Sequence, residues 1–243
     1  MRALRILLIA VVILGGLFVG ADRLAVYFAE DEAAGRLQTT ESLARKPDVS
    51  IKGFPFLTQL VGGTLDDIEV GIDTYQVPAG GEEQIRIDDL RANMKGVEFS
   101  GGFSSATAAS ATGTATIAYD ELLKAARSEP TEVAPGVTAR VVGLSDGGNG
   151  KIEVTVEVEA PVIGTRELPV LSTVSVEGDK VEVRTDSLPE LAGIDLAEGA
   201  IREITDFQTV IDNLPGGIGL DRVQAAADGV EISVKGSDVR LAG

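Results

Sequence analysis

Every position from Ile6 to Ala21 is apolar or glycine, and Arg2 and Arg5 stand just before it. No polar stripe interrupts this run, so it does not read as one face of a buried core helix. It reads as the positive n-region and apolar h-region of an export signal. Val19-Gly20-Ala21 offers small residues at the −3 and −1 positions of a cleavage site ahead of Asp22. The 16 residues of the run fall short of the roughly 20 of a spanning helix. Leu24 to Ala29 is also fairly apolar, so a cleaved signal peptide and a retained signal anchor both fit residues 1–21. Either places the chain after residue 21 outside the cytoplasm.

From Leu24 to about Ala44 the spacing predicts an amphipathic helix, ended by Pro47, with Leu24, Phe28 and Leu37 on one face that either packs on a sheet or lies near the bilayer; the acidic character of the segment favours packing. Beyond Asp48 the period falls to two. Ile152, Val154, Val156 and Val158 alternate with Glu153, Thr155, Glu157 and Glu159, a strand with one dry and one wet face. Val174 and Val176 mirror Val181 and Val183 across Gly178-Asp179. Val223, Ala225 and Ala227 mirror Val230, Ile232 and Val234 across Asp228-Gly229. Both are hairpin signals. Ile85 and Ile87 alternate, and Leu90, Ala92 and Met94 resume one residue out of phase, which predicts a β-bulge at Asp88-Asp89. A second helix is expected from an Asp120 N-cap to about Ser128, burying Leu122, Leu123 and Ala126. Glu198 to Val210 is open between helix and strand. Gly101 to Gly113, small and polar, is open between a loop and a flexible strand edge. The expected class is α+β, many antiparallel strands with two or three helices, in one domain over 22–243.

Composition narrows the chemistry. Among 243 residues there is no His, no Cys and no Trp. That removes the commonest general base, thiol nucleophiles, disulfides and thiolate metal sites. The net charge is −17, and without Arg2 and Arg5 the mature chain carries 19 positive and 38 negative side chains, or −19. Such a surface repels phosphate backbones and argues against a nucleic-acid partner. It also argues against broad adsorption to an anionic bilayer.

Few motifs carry chemistry. Gly143-Leu144-Ser145-Asp146-Gly147 matches the nucleophile elbow in letters, yet leads into a strand and has no His partner. Asp146-Gly147-Gly148-Asn149-Gly150 lacks the acidic spacing of a calcium loop and reads as a hairpin connection. Asp66-Asp67 and Asp88-Asp89 are adjacent, so in a strand each pair splits between faces. Glu82-Glu83 reads as a solvated turn. No catalytic, metal or cofactor site is expected. Ile51 to Gly63 (IKGFPFLTQLVGG) is the unusual segment. Phe54, Pro55, Phe56, Leu57, Leu60 and Val61 crowd onto a bend that Gly53, Pro55 and Gly62-Gly63 keep out of a regular strand. Two readings stand: a plug that caps the sheet core, and the lip of a lipid pocket or a loop that dips into a bilayer.

The order of an export segment, an acidic helix, then Pro47-Asp48-Val49-Ser50-Ile51-Lys52-Gly53-Phe54-Pro55-Phe56-Leu57-Thr58-Gln59-Leu60, Gly63 and a valine-rich strand resembles the LmeA family of actinobacterial envelope proteins. Leu214-Pro215-Gly216-Gly217-Ile218-Gly219-Leu220 and the terminal hairpin add to the likeness. The resemblance implies non-enzymatic phospholipid binding on the periplasmic side of the plasma membrane. It also implies a fold similar to the tubular lipid-binding (TULIP) group, a long twisted antiparallel sheet wrapping helices around an apolar groove. One member is tied to mannan-chain elongation of lipomannan, which makes an envelope glycosyltransferase a further expected partner; docking to that enzyme as a structural accessory is the alternative reading. With phospholipid as the ligand, the lipid-binding residues expected are Phe54, Pro55, Phe56, Leu57, Leu60 and Val61. Lys52, Arg86, Arg91 and Lys95 are candidates for the headgroup.

Overall fold

The structure, a computed structural model, describes residues 2–80, 83–102, 104–126, 130–161, 164–178, 180–187, 202, 205–210 and 216–242. One helix, α1, runs unbroken over Arg2–Thr40. It joins the apolar segment to the following helix and stops short of Ala44, where Ser42 turns into a left-handed conformation (φ 53°). Its buried face is not the expected one. Asp22, Val26 and Ala34 are buried, whereas Leu24 and Phe28 are exposed and Leu37 is half-buried. The stripe Asp22, Ala25, Val26, Ala29 follows helical spacing, and its small side chains let α1 pack closely against the sheet.

The strands sort into two six-stranded antiparallel sheets rather than one long sheet. The first has the order β1 (Asp48–Lys52), β2 (Thr64–Gly80), β3 (Glu83–Ser100), β4 (Ser105–Ala118), β12 (Gly229–Ala242), β11 (Ile218–Ala226). The second has the order β10 (Phe207–Val210), β9 (Lys180–Ser187), β8 (Gly164–Glu177), β7 (Lys151–Ala160), β6 (Val137–Gly148), β5 (Thr131–Ala134). Two short helices, α2 (Phe56–Gly62) and α3 (Tyr119–Ala126), complete the described elements. With its predominance of antiparallel strands and few helices, the fold agrees with the expected α+β class.

Each sheet supplies a core. The first core gathers Val26 of α1, Ile51, Phe56, Leu65, Val97, Ala106, Ala108, Ala111 and Val239. The second is valine-rich, with Ile152, Val154, Val156 and Val158 of β7 facing β11 and β12 through Val223, Ala225 and Val230. The alternation in β7 is as the sequence predicts, since the glutamates between these residues are not buried.

Details of register follow from local chemistry. Val174 pairs with Val183 and Val176 with Val181, as expected of that hairpin. The bulge at Asp88-Asp89 appears as a shift between β3 and β4 from Asp88 to Arg91, with Asp89 left-handed (φ 50°). In the terminal hairpin Val223 pairs with Ile232 and Ala225 with Val230, so the turn is Ala227-Asp228, one residue earlier than expected. Gly229 serves a different purpose: a Cβ there would lie 2.3 Å from the Ile117 carbonyl of β4. The small, polar stretch to Gly113 is largely β4, an interior strand rather than a loop or an edge. Its alanines present too little apolar bulk to announce a strand, yet Ala106 and Ala108 are buried under α1 and its neighbours. α3 begins at Tyr119, whose hydroxyl donates to the Ala226 carbonyl (2.8 Å). Asp120 lies in its first turn and accepts from the Glu121 amide (2.9 Å). Leu122 and Leu123 pack on the second core, as expected. The side chain of Ala126, and Ser128, lie outside the described residues. Of Glu198–Val210, Phe207–Val210 is strand β10, Arg202 and Thr205 are helical, and residues 198–201, 203 and 204 lie outside the described residues.

Candidate lipid-facing site

The bend at Ile51–Gly63 turns at Gly53, which adopts φ 97°; the Phe54–Pro55 peptide that follows is cis, and the chain then enters α2. The positive φ of Gly53 is one that side chains rarely adopt, and a Cβ there would also displace the ends of Gln59 (Nε2 at 2.4 Å) and Asp66 (Oδ2 at 2.8 Å). Gln59 Oε1 in turn accepts from the Asp66 amide (2.8 Å), fixing α2 to the start of β2. Gly63 ends α2 in the left-handed region (φ 73°) and returns its N–H to α2 carbonyls.

The bend is clamped by the base of α1. Asp22 is fully buried, and its carboxylate accepts from the Leu57 amide (2.9 Å) and from the Arg23 guanidinium (2.6 Å). Pro55, the N-cap residue of α2, supplies no side-chain acceptor, and Asp22 supplies one from another helix. Arg23 also lies over the Phe54 ring, 5.3 Å from its centroid, a cation–π contact. Neither residue was singled out from the sequence, because no local pattern pairs an aspartate with an amide 35 positions away.

The structure divides the six expected residues. Phe56 is 3% exposed and belongs to the first core, so it is the plug. Leu57 packs partly against that core. Phe54, Leu60 and Val61 point outward, at 56%, 37% and 91% exposure. Leu60, Val61, Gly62, Gly63, Phe99 and Gly102 line an open hollow of about 610 Å³.

A second feature was not drawn out of the sequence. On the face of the first sheet shared by both cores, Val70 pairs with Ala92 and Ile72 with Leu90. Farther across, Gly113 pairs with Val234 and Ala115 with Ile232. All are half-buried, in contrast to the buried side chains at either end of the same face. The alternation of β-strands puts them on one surface, a half-buried apolar stripe that runs from one core to the other, with Ile232 packed against the second core.

The headgroup candidates do not gather. Lys52 pairs with Glu69 (3.1 Å), Arg86 with Asp88 (3.1 Å), and Arg91 lies 3.7 Å from both Asp73 and Asp89. Arg86 and Lys95 are nine residues apart on β3, about 30 Å, too far to share one headgroup. Other titratable groups hold the frame. The Lys124 ammonium (2.7 Å) and the Arg86 amide (3.1 Å) hold the buried Glu121 carboxyl below its ordinary range, fastening α3 to β3. Lys151 and Thr173 do the same for Asp186. Ser145 is exposed within β6, opposite Glu153, so no strand-to-helix elbow surrounds it. Asp146 accepts from the Gly148 amide (2.9 Å) and closes the β6–β7 turn. Among the described residues no group of three or more acidic side chains is placed to hold a metal.

A long apolar helix leads into a β-rich body that carries a half-buried apolar stripe and, on the bend beside the helix, outward aromatic and aliphatic side chains. The chain belongs to the LmeA-like phospholipid-binding family, whose model matches residues 20–235. No curated protein and no solved structure matches it.

Proposed function

We propose that residues 22–243 form a single, TULIP-like domain that binds a phospholipid without catalysis on the periplasmic side of the plasma membrane. Acyl chains enter past Phe54, Leu60 and Val61, with Pro55, Phe56 and Leu57 shaping the lip from beneath. They then lie along the half-buried stripe between the cores. The half-buried stripe is the observation that carries this reading: a β-sheet face of Val, Ile, Leu and Ala that is only partly buried gains roughly 0.8 kcal/mol for each methylene it covers. The acidic surface and the scattered, paired cations favour affinity carried by the tails over the headgroup. Family membership supports phospholipid binding; a part in lipoglycan elongation or envelope maintenance belongs to the same proposal.

Native mass spectrometry of the full chain after mild detergent extraction should show one phospholipid bound. A clean apo mass, together with no uptake of a fluorescent phospholipid, overturns the proposal.

A further inference from the structure

We infer that α1 is retained as a membrane anchor and that its base, together with the α2 bend, is a docking collar immersed in the bilayer surface. This goes beyond phospholipid binding and does not require that a lipid occupy the domain.

Length comes first. α1 is long and apolar enough to cross a membrane, and its most apolar window has no buried residue. The run Ile6–Ala21 covers about 24 Å as a helix, while the hydrocarbon core is about 30 Å thick. Continuing the helix by one turn, through Asp22, Arg23, Leu24 and Ala25, makes up the difference. Two charged residues in that turn would ordinarily forbid it. Here Asp22 is fully buried against α2 and paired with Arg23, and Arg23 is stacked on Phe54. The domain therefore shields Asp22, while Arg23, 49% exposed, is held by the Asp22 carboxylate and the Phe54 ring at the bilayer surface, and the α2 bend is drawn down to the bilayer with them.

The side chains presented at that level fit a lipid surface. Leu24, Tyr27 and Phe28 lie on one helix face by their spacing, and all are exposed, at 61%, 63% and 66%. The Tyr27 and Phe28 rings meet edge to face at 5.8 Å. Aromatic rings collect where acyl chains give way to headgroups. On the other side of α1, Phe54 and Val61 present exposed apolar side chains from the bend, which Arg23 and Asp22 join to the same level of the helix. A bilayer is the occupant because this surface is continuous with the apolar helix that precedes it.

The chain has no cysteine, so single labels are clean. An environment-sensitive fluorophore is attached at Phe28→Cys, at Val61→Cys and, far from the collar on β6, at Ser145→Cys. Tyr27→Cys replaces Phe28→Cys should that variant not fold. The full chain is reconstituted in phosphatidylcholine–phosphatidylglycerol vesicles with brominated acyl chains. The probes at 28 and 61 should be quenched severalfold more than the probe at 145, and the intact mass of chain recovered from its own membrane should include residues 1–21. Equal quenching at all sites, or a chain that begins at Asp22, overturns the inference. Uptake of fluorescent phospholipid in the same preparation separates the two proposals. Uptake with an unquenched collar removes docking alone, and a quenched collar without uptake removes phospholipid binding alone.

Discussion

The bend contains a buried ring and outward side chains proposed to meet lipid, and substitution separates them. Full burial of a Val, Leu or Phe side chain is worth about 1.5–3 kcal/mol. Phe54 is 56% exposed and Val61 is 91% exposed, so the surface they have left to bury against an acyl chain or the bilayer is roughly half and nearly all of that. Together they amount to about 3 kcal/mol, or roughly a hundredfold in affinity. The double variant Phe54→Ser, Val61→Ser should therefore weaken uptake of fluorescent phosphatidylglycerol by the purified full chain about a hundredfold. Its melting temperature should hold, because neither side chain belongs to a core. Phe56→Ser is the counterpart. That ring is buried, and its loss should destabilise the fold by about 3–5 kcal/mol. If the folded double variant takes up lipid within about twofold of the parent, a difference of well under 1 kcal/mol, the outward side chains do not contact lipid and the segment is a plug alone.

Three further outcomes follow from the same contacts. Asp22→Asn keeps the shape but weakens the acceptor for Leu57, so hydrogen exchange at the α2 amides should quicken roughly tenfold; unchanged exchange would show that the carboxylate does not hold the bend. Gly53→Ala forces a side chain into a left-handed position already filled by Gln59 and Asp66, and calorimetry should register about 1–3 kcal/mol lost. The carboxyls of Glu121, Asp186 and Asp221 are held low by their lysine partners. A group titrating lower in the folded chain than in the unfolded chain contributes stability that is present above the unfolded value and lost as pH falls through the folded one. Thermal stability should thus fall progressively below about pH 4, and Glu121→Gln should flatten that part of the profile.

The sequence disclosed the features that repeat locally. β7 alternates cleanly because one face meets the valine core and the other meets water, and that contrast is written in adjacent residues. The β8–β9 hairpin and the Asp88-Asp89 bulge were legible for the same reason. Features set by distant partners were not. Leu24 and Phe28 looked like the packing face of α1, but the smaller Asp22, Ala25, Val26 and Ala29 stripe allows the closer approach. β4 stayed open between a loop and a strand edge because alanine and threonine give no amphipathic contrast. Gly229 looked like a turn residue, whereas it makes room for a neighbouring carbonyl. At the candidate site the apolar bend stood out by composition, yet which rings turn inward depended on Asp22 and Gln59, residues with no mark of their role in the linear chain.

The strand that closes the chain bears on how the molecule comes apart. β12 contributes Val230 to one core and Val239 to the other, some 30 Å along a single extended segment. Neither half can melt without pulling that segment from its counterpart, so heating should yield one sharp transition detected alike by probes at both ends. Shortening the chain before residue 229 would cost both halves at once.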